Sequence, residues 1–398
     1  MATTRRGLLL AGAGGALAAS QPGLSRPAVA QGEPIRFGWL AALTGPGSSA
    51  GIGFDRGIRF AAEEVNGAGG VRGRKLDVLT RDTQGDPTKC VNATQEMINR
   101  LRAHMVWGPC NSGESLAATP ILARGKMPNM HPCVVDQLID PAKYPNAFRQ
   151  APSNQQWAEA AHRYCLQVLK LRDIVVVGDT TGYGTSAAEA SERMLKGEGA
   201  NVVGKYLIEA QQTDVTADMT RMRNAGAKVV LIWSVNGGYL SRIINTRAQM
   251  GWDVPIVGHP TLGSGEVKAL LARPENWEKV YMVGYRSCSF DAEGKLPPRT
   301  ADFVRRIAGK ITLSDTSLWW VACGYDAVHL AAQAVGETGS TESAKIIEHW
   351  NSLRGHPGIF GDYTFTPTEH NGYPGEDVVM SLANSNREGA FTIAPGYG

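Results

Sequence analysis

Residues able to do chemistry are scattered along this chain of 398 residues, and few spacings gather them into a reactive set. The stretch Gly45-Pro46-Gly47-Ser48-Ser49-Ala50-Gly51-Ile52-Gly53 follows the first strand-like run, where a phosphate-cradling loop would stand. Its spacing is G-x-G-x-x-x-G, one residue longer than the dinucleotide fingerprint. No G-x-S-x-G nucleophile elbow and no G-x-x-x-x-G-K-S/T phosphate loop occurs. The eight histidines, among them His131, His162, His259 and His349, show no i,i+3 or i,i+4 pairing for a metal. Only convergence of distant ligands would make a metal site. No enzyme, cofactor or metal is expected. One spacing does carry a physical argument. Ser112 opens a helix-like run after Asn111, so its hydroxyl and the free N–H groups of a first helical turn would form an anion site. The same residues also fit a plain helix cap, with Glu114 completing a capping box.

The elements that would position these groups alternate in kind. Strand-like runs at 35–40, 76–79, 105–108 and 127–131 enclose helix-like runs at 51–66, 88–102 and 112–124. The pattern restarts with a helix at 154–169. Strands at 173–178, 202–207, 228–234 and 254–258 follow, with helices at 185–196, 214–224 and 239–249 between them. Helices at 318–335 and 343–353 and strands at 377–382 and 390–393 close the chain. Short apolar strands alternating with amphipathic helices predict an α/β fold of two doubly wound, parallel-sheet lobes. Such sheets bind ligands beyond the carboxyl ends of their strands. The loops after each strand, facing one another across a cleft, are therefore the functional inventory.

With 43% hydrophobic and 19% charged residues, the chain can bury a large core and is not disordered. Of its 40 Lys and Arg, three (Arg5, Arg6, Arg26) lie in an acid-free opening of thirty residues. The rest balance the 37 Asp and Glu, which argues against a nucleic-acid or anionic-membrane partner. Residues 1–30 read as an export signal: Arg5-Arg6, a short apolar run, and Ala28-Val29-Ala30 as a cleavage site. The paired arginines fit a twin-arginine signal, and an ordinary secretory signal is the other reading. Cleavage after Ala30 would release the chain to the periplasm. Export permits disulfides. A Cys90–Cys110 bridge would staple one βαβ unit, with Cys110–Cys133 as its rival; Cys165 and Cys323 fit buried free thiols better.

The loops also carry a family likeness. Phe37-Gly38, Leu43-Thr44-Gly45-Pro46, Ala61-Ala62-Glu63-Glu64-Val65-Asn66 and Gly69-Gly70-Val71 resemble the opening of the periplasmic Leu/Ile/Val-binding proteins. These are the solute receptors of ATP-driven (ABC) importers. The likeness continues through Arg81-Asp82-Thr83, Gly108-Pro109-Cys110-Asn111-Ser112-Gly113, Asp179 with Tyr183-Gly184, Thr213-Asp214, Gly324-Tyr325-Asp326-Ala327-Val328 and Gly361 to Gly372. It implies two lobes joined by three hinge crossovers, near 150–153, near 284–287 and after 356. The first lobe would then hold 31–151 and 286–357, the second 152–285 and 358–398. The restart of periodicity near 150 supports the first crossover independently.

The resemblance also implies site residues. Ser112, beside Asn111, matches the serine that binds the ligand carboxylate. The loop after the fourth strand, Cys133-Val134-Val135, supplies backbone N–H, with Val135 where the family often has a hydroxyl. Tyr183 matches an aromatic wall, or else is a core tyrosine. Trp320 matches an apolar wall, with Trp319 facing elsewhere or either one packing in the core. The family's ammonium-binding acid falls where this chain reads His259-Pro260-Thr261, and the loop 234–238 containing Asn236 is neutral too. The carboxylate end thus reads as retained and the ammonium end as lost. That favours a flat or aromatic acid, or an amide, over leucine. His259 would donate to a phenol or second carboxylate, or be a plain loop residue. The implied partners are a small-molecule ligand and inner-membrane permease subunits, for a receptor that works as a monomer. A branched-chain amino acid receptor, or a sensing subunit for a membrane signalling partner, are the alternatives.

Overall fold

Why the strands form is plainest in the second half of the chain. Val175, Val176 and Val177 in one strand and Val229-Val230-Leu231-Ile232-Trp233 in its neighbour are buried on both faces. Only a parallel sheet covered by helices on each side accommodates such continuous apolar runs. The computed structural model describes residues 32–45 and 47–397, and the export signal expected over 1–30 lies outside the described residues.

The first sheet contains β1 (Ile35–Ala41), β2 (Leu76–Asp82), β3 (Met105–Trp107), β4 (Asn129–His131) and β5 (Ala147–Arg149), in the order β2-β1-β3-β4-β5 and parallel throughout. Between them run α1 (Ser48–Gly67), α2 (Pro87–Asn99) and α3 (Ser112–Arg124). The second sheet contains β6 (Asp173–Asp179), β7 (Asn201–Ile208), β8 (Val229–Trp233), β9 (Ile256–Gly258) and β10 (Val280–Tyr285). The late strand Val378–Leu382 adds to the edge of β10 and is the sheet's antiparallel member. Its helices are α4 (Asn154–Arg163), α5 (Gly182–Gly197), α6 (Thr216–Asn224), α7 (Gly237–Gln249) and α8 (Gly265–Leu270). The sequence reading had no strand at β10, where it placed only a crossover.

After β10 the chain runs through α9 (Pro298–Ile307), α10 (Leu318–Thr338) and α11 (Ser343–Ser352). The apolar α10 packs along α1 on the first sheet's side. Their backbones approach so closely that a Cβ at Gly57 would strike the Val321 carbonyl, and one at Gly324 would strike that of Phe54. Glycine is needed at both positions for that approach. Gln150, fully buried beside the expected first crossover, ties the layers together. It accepts from the Trp107 indole at 2.8 Å and donates to the Cys323 carbonyl at 2.8 Å.

Candidate functional site

The loops after β3, β4, β6, β8 and β9 and the first turns of α1 and α10 enclose a cavity of about 270 Å³. On the first wall, β3 ends at Trp107 and α3 begins at Ser112. Asn111 holds the N-cap position, yet its side chain makes no capping bond. Its amide donates instead to Glu114 Oε2 at 2.7 Å, and the Cys110 thiol donates to its carbonyl oxygen at 3.7 Å. The first backbone bond of α3 comes from the Ser115 N–H to the Asn111 carbonyl. The N–H groups of Ser112, Gly113 and Glu114 therefore have no partner among the described residues. Ser112 is buried at the cleft wall and makes no cap; the capping box is not formed.

Strand alternation settles the next loop. Val134 faces the cleft. Cys133 turns to the opposite side, into a small core with Leu138, Tyr144 and Ala147, and Val135 packs against it there. Neither Cys133 nor Val135 lines the cavity, because adjacent extended residues point to opposite faces. Trp319 and Trp320 both line it, correcting the expectation that Trp319 faces elsewhere. Successive helical residues are about 100° apart, and the cleft wraps around the helix start. Trp319 also stacks on Phe360, ring centroids 5.4 Å apart.

The opposite wall is built from the second sheet. The Thr181 hydroxyl caps α5 by accepting the Gly184 N–H at 3.1 Å, and Gly182 and Tyr183 follow at the cleft. Burial, with Asp179 nearby, pushes the Tyr183 phenol well above its usual pKa, so it stays an O–H donor. His259 Nδ1 accepts the Thr261 N–H at 3.1 Å, which leaves the ring proton on Nε2. Burial holds this imidazole down to about 3, hence neutral. Trp157 and Tyr183 each meet it edge-on, with centroids 5.2 Å away. Asn236 stands off the cavity: it caps α7 by accepting the Tyr239 N–H at 2.8 Å, and Val235 faces the cleft in its place.

Sequence reasoning missed Trp157, Phe54 and Glu266, all at the cleft. Glu266 follows a Ser264 helix cap, which marks a helix start but not a cleft. No Lys or Arg lines the cavity among the described residues, and Glu266 is its one carboxylate. No cluster of three or more His, Cys, Asp or Glu suited to a metal occurs among them either. Nor is any helix there long and apolar enough to cross a membrane.

All six cysteines are free, so neither Cys90–Cys110 nor Cys110–Cys133 is bridged. Cys90 lies in the apolar core between α2 and α3, whereas Cys110 lies in the cleft wall beside Asn111. Burial raises both thiols, which keeps them protonated.

Residues 34–384 match the periplasmic binding protein family. A curated relative, the Leu/Ile/Val-binding protein BraC3 of Rhizobium johnstonii, is 27% identical over 59% of this chain and 64% of its own length. The match thus spans less than two thirds of that protein. An amino acid binding protein of Pseudomonas aeruginosa is 24% identical over 84% of this chain and 85% of its own. Among solved structures, the branched-chain amino acid transporter substrate binding protein LivJ of Streptococcus pneumoniae, in complex with isoleucine, superposes with a TM-score of 0.78. It is 21% identical, over 91% of this chain and 99% of that one. A periplasmic binding protein type 1 from Bordetella pertussis gives 0.79 at 22% identity, over 91% and 100%. With two parallel-sheet lobes around a lined cleft and a match over residues 34–384, the chain belongs to the periplasmic binding protein family and has its type I fold.

Proposed function

We propose that this protein is the periplasmic solute receptor of an ABC importer, and that it captures a small carboxylate-bearing solute, an organic or aromatic acid, between two closing lobes. The observation that carries the reading is the cleft's charge pattern. α3 and α5 both begin at the cavity, the N–H groups of Ser112, Gly113, Glu114, Gly182 and Tyr183 lack partners among the described residues, Ser112 adds a hydroxyl, and no Lys or Arg lines the cavity there. Helix N-termini hold an anion by partial charge, so a carboxylate fits without a buried cation. A ligand touching both walls stabilises the closed state by its differential affinity, and binding is the whole activity. Docking to inner-membrane permease subunits as a monomer, after removal of residues 1–30, completes the proposal. A branched-chain amino acid or short amide is the second reading. Glu266 favours an amino acid, since a carboxylate at the rim can pair with an ammonium.

The test is a titration of protein that has been unfolded and refolded to strip carried-over ligand, against aliphatic amino acids, aromatic carboxylates and short amides. A ligand far above its Kd raises stability by a few kcal/mol. Tight binding of acids without an ammonium supports the proposal. Binding of leucine alone moves the reading to the amino acid.

A further inference from the structure

Four buried polar atoms in the cleft wall and next to it have no hydrogen-bond partner among the described residues: Trp157 Nε1, Tyr183 Oη, Tyr285 Oη and Trp319 Nε1. Each belongs to a residue more than nine-tenths buried. They are neighbours. The Tyr285 ring lies 4.9 Å from that of Trp319, its phenol faces the Trp157 indole, and the Tyr183 phenol is near enough to act on it electrostatically. Trp157, Tyr183 and Trp319 line the cavity itself. Buried polar groups in native proteins are nearly always paired, so a cluster of four requires a partner.

Proton accounting defines that partner. The two indoles only donate, and each phenol has one proton to place. Even if the phenol oxygens accept every bond they can within the cluster, one proton is left without an acceptor. His259 adds a further donor, because its Nδ1 is taken by the Thr261 N–H and the ring is neutral. An ammonium would find only the phenol oxygens as acceptors here and would leave the indole and imidazole donors unpaired. A second ligand carboxylate would join the first one and Glu266 in a lining that has no Lys or Arg to offset them. What remains is an uncharged acceptor.

Resting on the carboxylate reading above, we infer that the solute is a flat carboxylic acid with a second, uncharged acceptor, a carbonyl or ether oxygen, at the end away from its carboxylate. Ser112 and the α3 N-terminus take the carboxylate. Tyr183 and His259 on the facing wall, beside Trp157 and Trp319, offer the two protons that the second oxygen can accept. Tyr183 is then a specificity-determining residue.

The experiment is calorimetric titration of the refolded protein with para-acetylbenzoate and para-isopropylbenzoate, shape-matched acids differing by a carbonyl oxygen in place of a methyl. Terephthalate, para-(aminomethyl)benzoate and leucine complete the panel. The acetyl acid should bind at least about tenfold more tightly than its isostere. Tyr183→Phe should cut that ratio about fivefold, leave the isopropyl acid unaffected, and leave the Tm of the ligand-free protein unchanged or higher. A tyrosine with only a structural role would lower Tm and treat both acids alike. Equal binding of the two acids, each weakened by Ser112→Ala, overturns the inference and spares the carboxylate reading. Tightest binding of terephthalate overturns the uncharged second group. Binding of leucine in place of every acid overturns both.

Discussion

Glu266 Oε1 stands 3.2 Å from the backbone N–H of Gly238. This places a carboxylate at the N-terminus of α7 and on the rim of the cleft, close to the loop 259–261 that carries no acid of its own. Helix N-termini favour an acidic side chain, and the hydrogen bond fixes Glu266 in place. It also separates the two ligand readings. Glu266→Gln keeps an acceptor for Gly238 while removing the charge. If the ligand is an amino acid, affinity should fall by about tenfold or more as its ammonium loses a partner. If it is an acid without an ammonium, affinity should hold or rise. Calorimetry with leucine and with benzoate on both proteins decides.

Ser112→Ala should weaken a carboxylate ligand by about 1–2 kcal/mol, the worth of one charge-assisted hydrogen bond. Because α3 has no side-chain cap, the ligand-free protein should melt at nearly the same temperature. A large drop in ligand-free Tm would make Ser112 a structural residue.

Gln150→Leu should destabilise the protein by about 1–3 kcal/mol, because it leaves the buried Trp107 indole N–H unpaired, while the Cys323 carbonyl keeps its bond within α10. Urea unfolding monitored by tryptophan fluorescence measures this.

Acid should unfold the protein through its histidines. Burial lowers His131 and His259 to about 3, from an ordinary value of 6.5; Arg149 adds to the effect at His131. Below pH 6.5 the unfolded chain takes up protons that the folded one refuses. The stability from these groups is complete above pH 6.5 and is lost as pH falls toward 3. Each contributes a slope of about 1.4 kcal/mol per pH unit in that window. Urea midpoints at pH 7, 6 and 5 should therefore decline, and His259→Gln should reduce the slope by one proton's worth. The slope is the readout, since the substitution also changes stability at neutral pH.

Thiol titration in denaturant without reductant should count six free cysteines. In the native protein reaction should be slow, because five are buried and Cys110 is only partly accessible. A count of four would restore a bridge, with Cys90–Cys110 and Cys110–Cys133 the pairs to map.

Local pattern was enough for the architecture. The valine runs of β6 and β8 announce strands covered on both faces, and Ser112 at the start of α3 marks a helix N-terminus, because both signals reside in neighbouring residues. Which side chains meet in the cleft does not reside there. Val134 rather than Val135 faces the cleft because Val135 packs with Cys133 against Leu138, Tyr144 and Ala147, a core that forms only in the folded chain. Glu266 reaches the rim because α8 packs on α7. Trp157, Tyr183, Tyr285 and Trp319 come from four separate stretches of the chain and form one donor cluster once both sheets and α10 are assembled. Fold class followed from periodicity, which is local; the site's chemistry followed from contacts between distant segments, which packing alone decides.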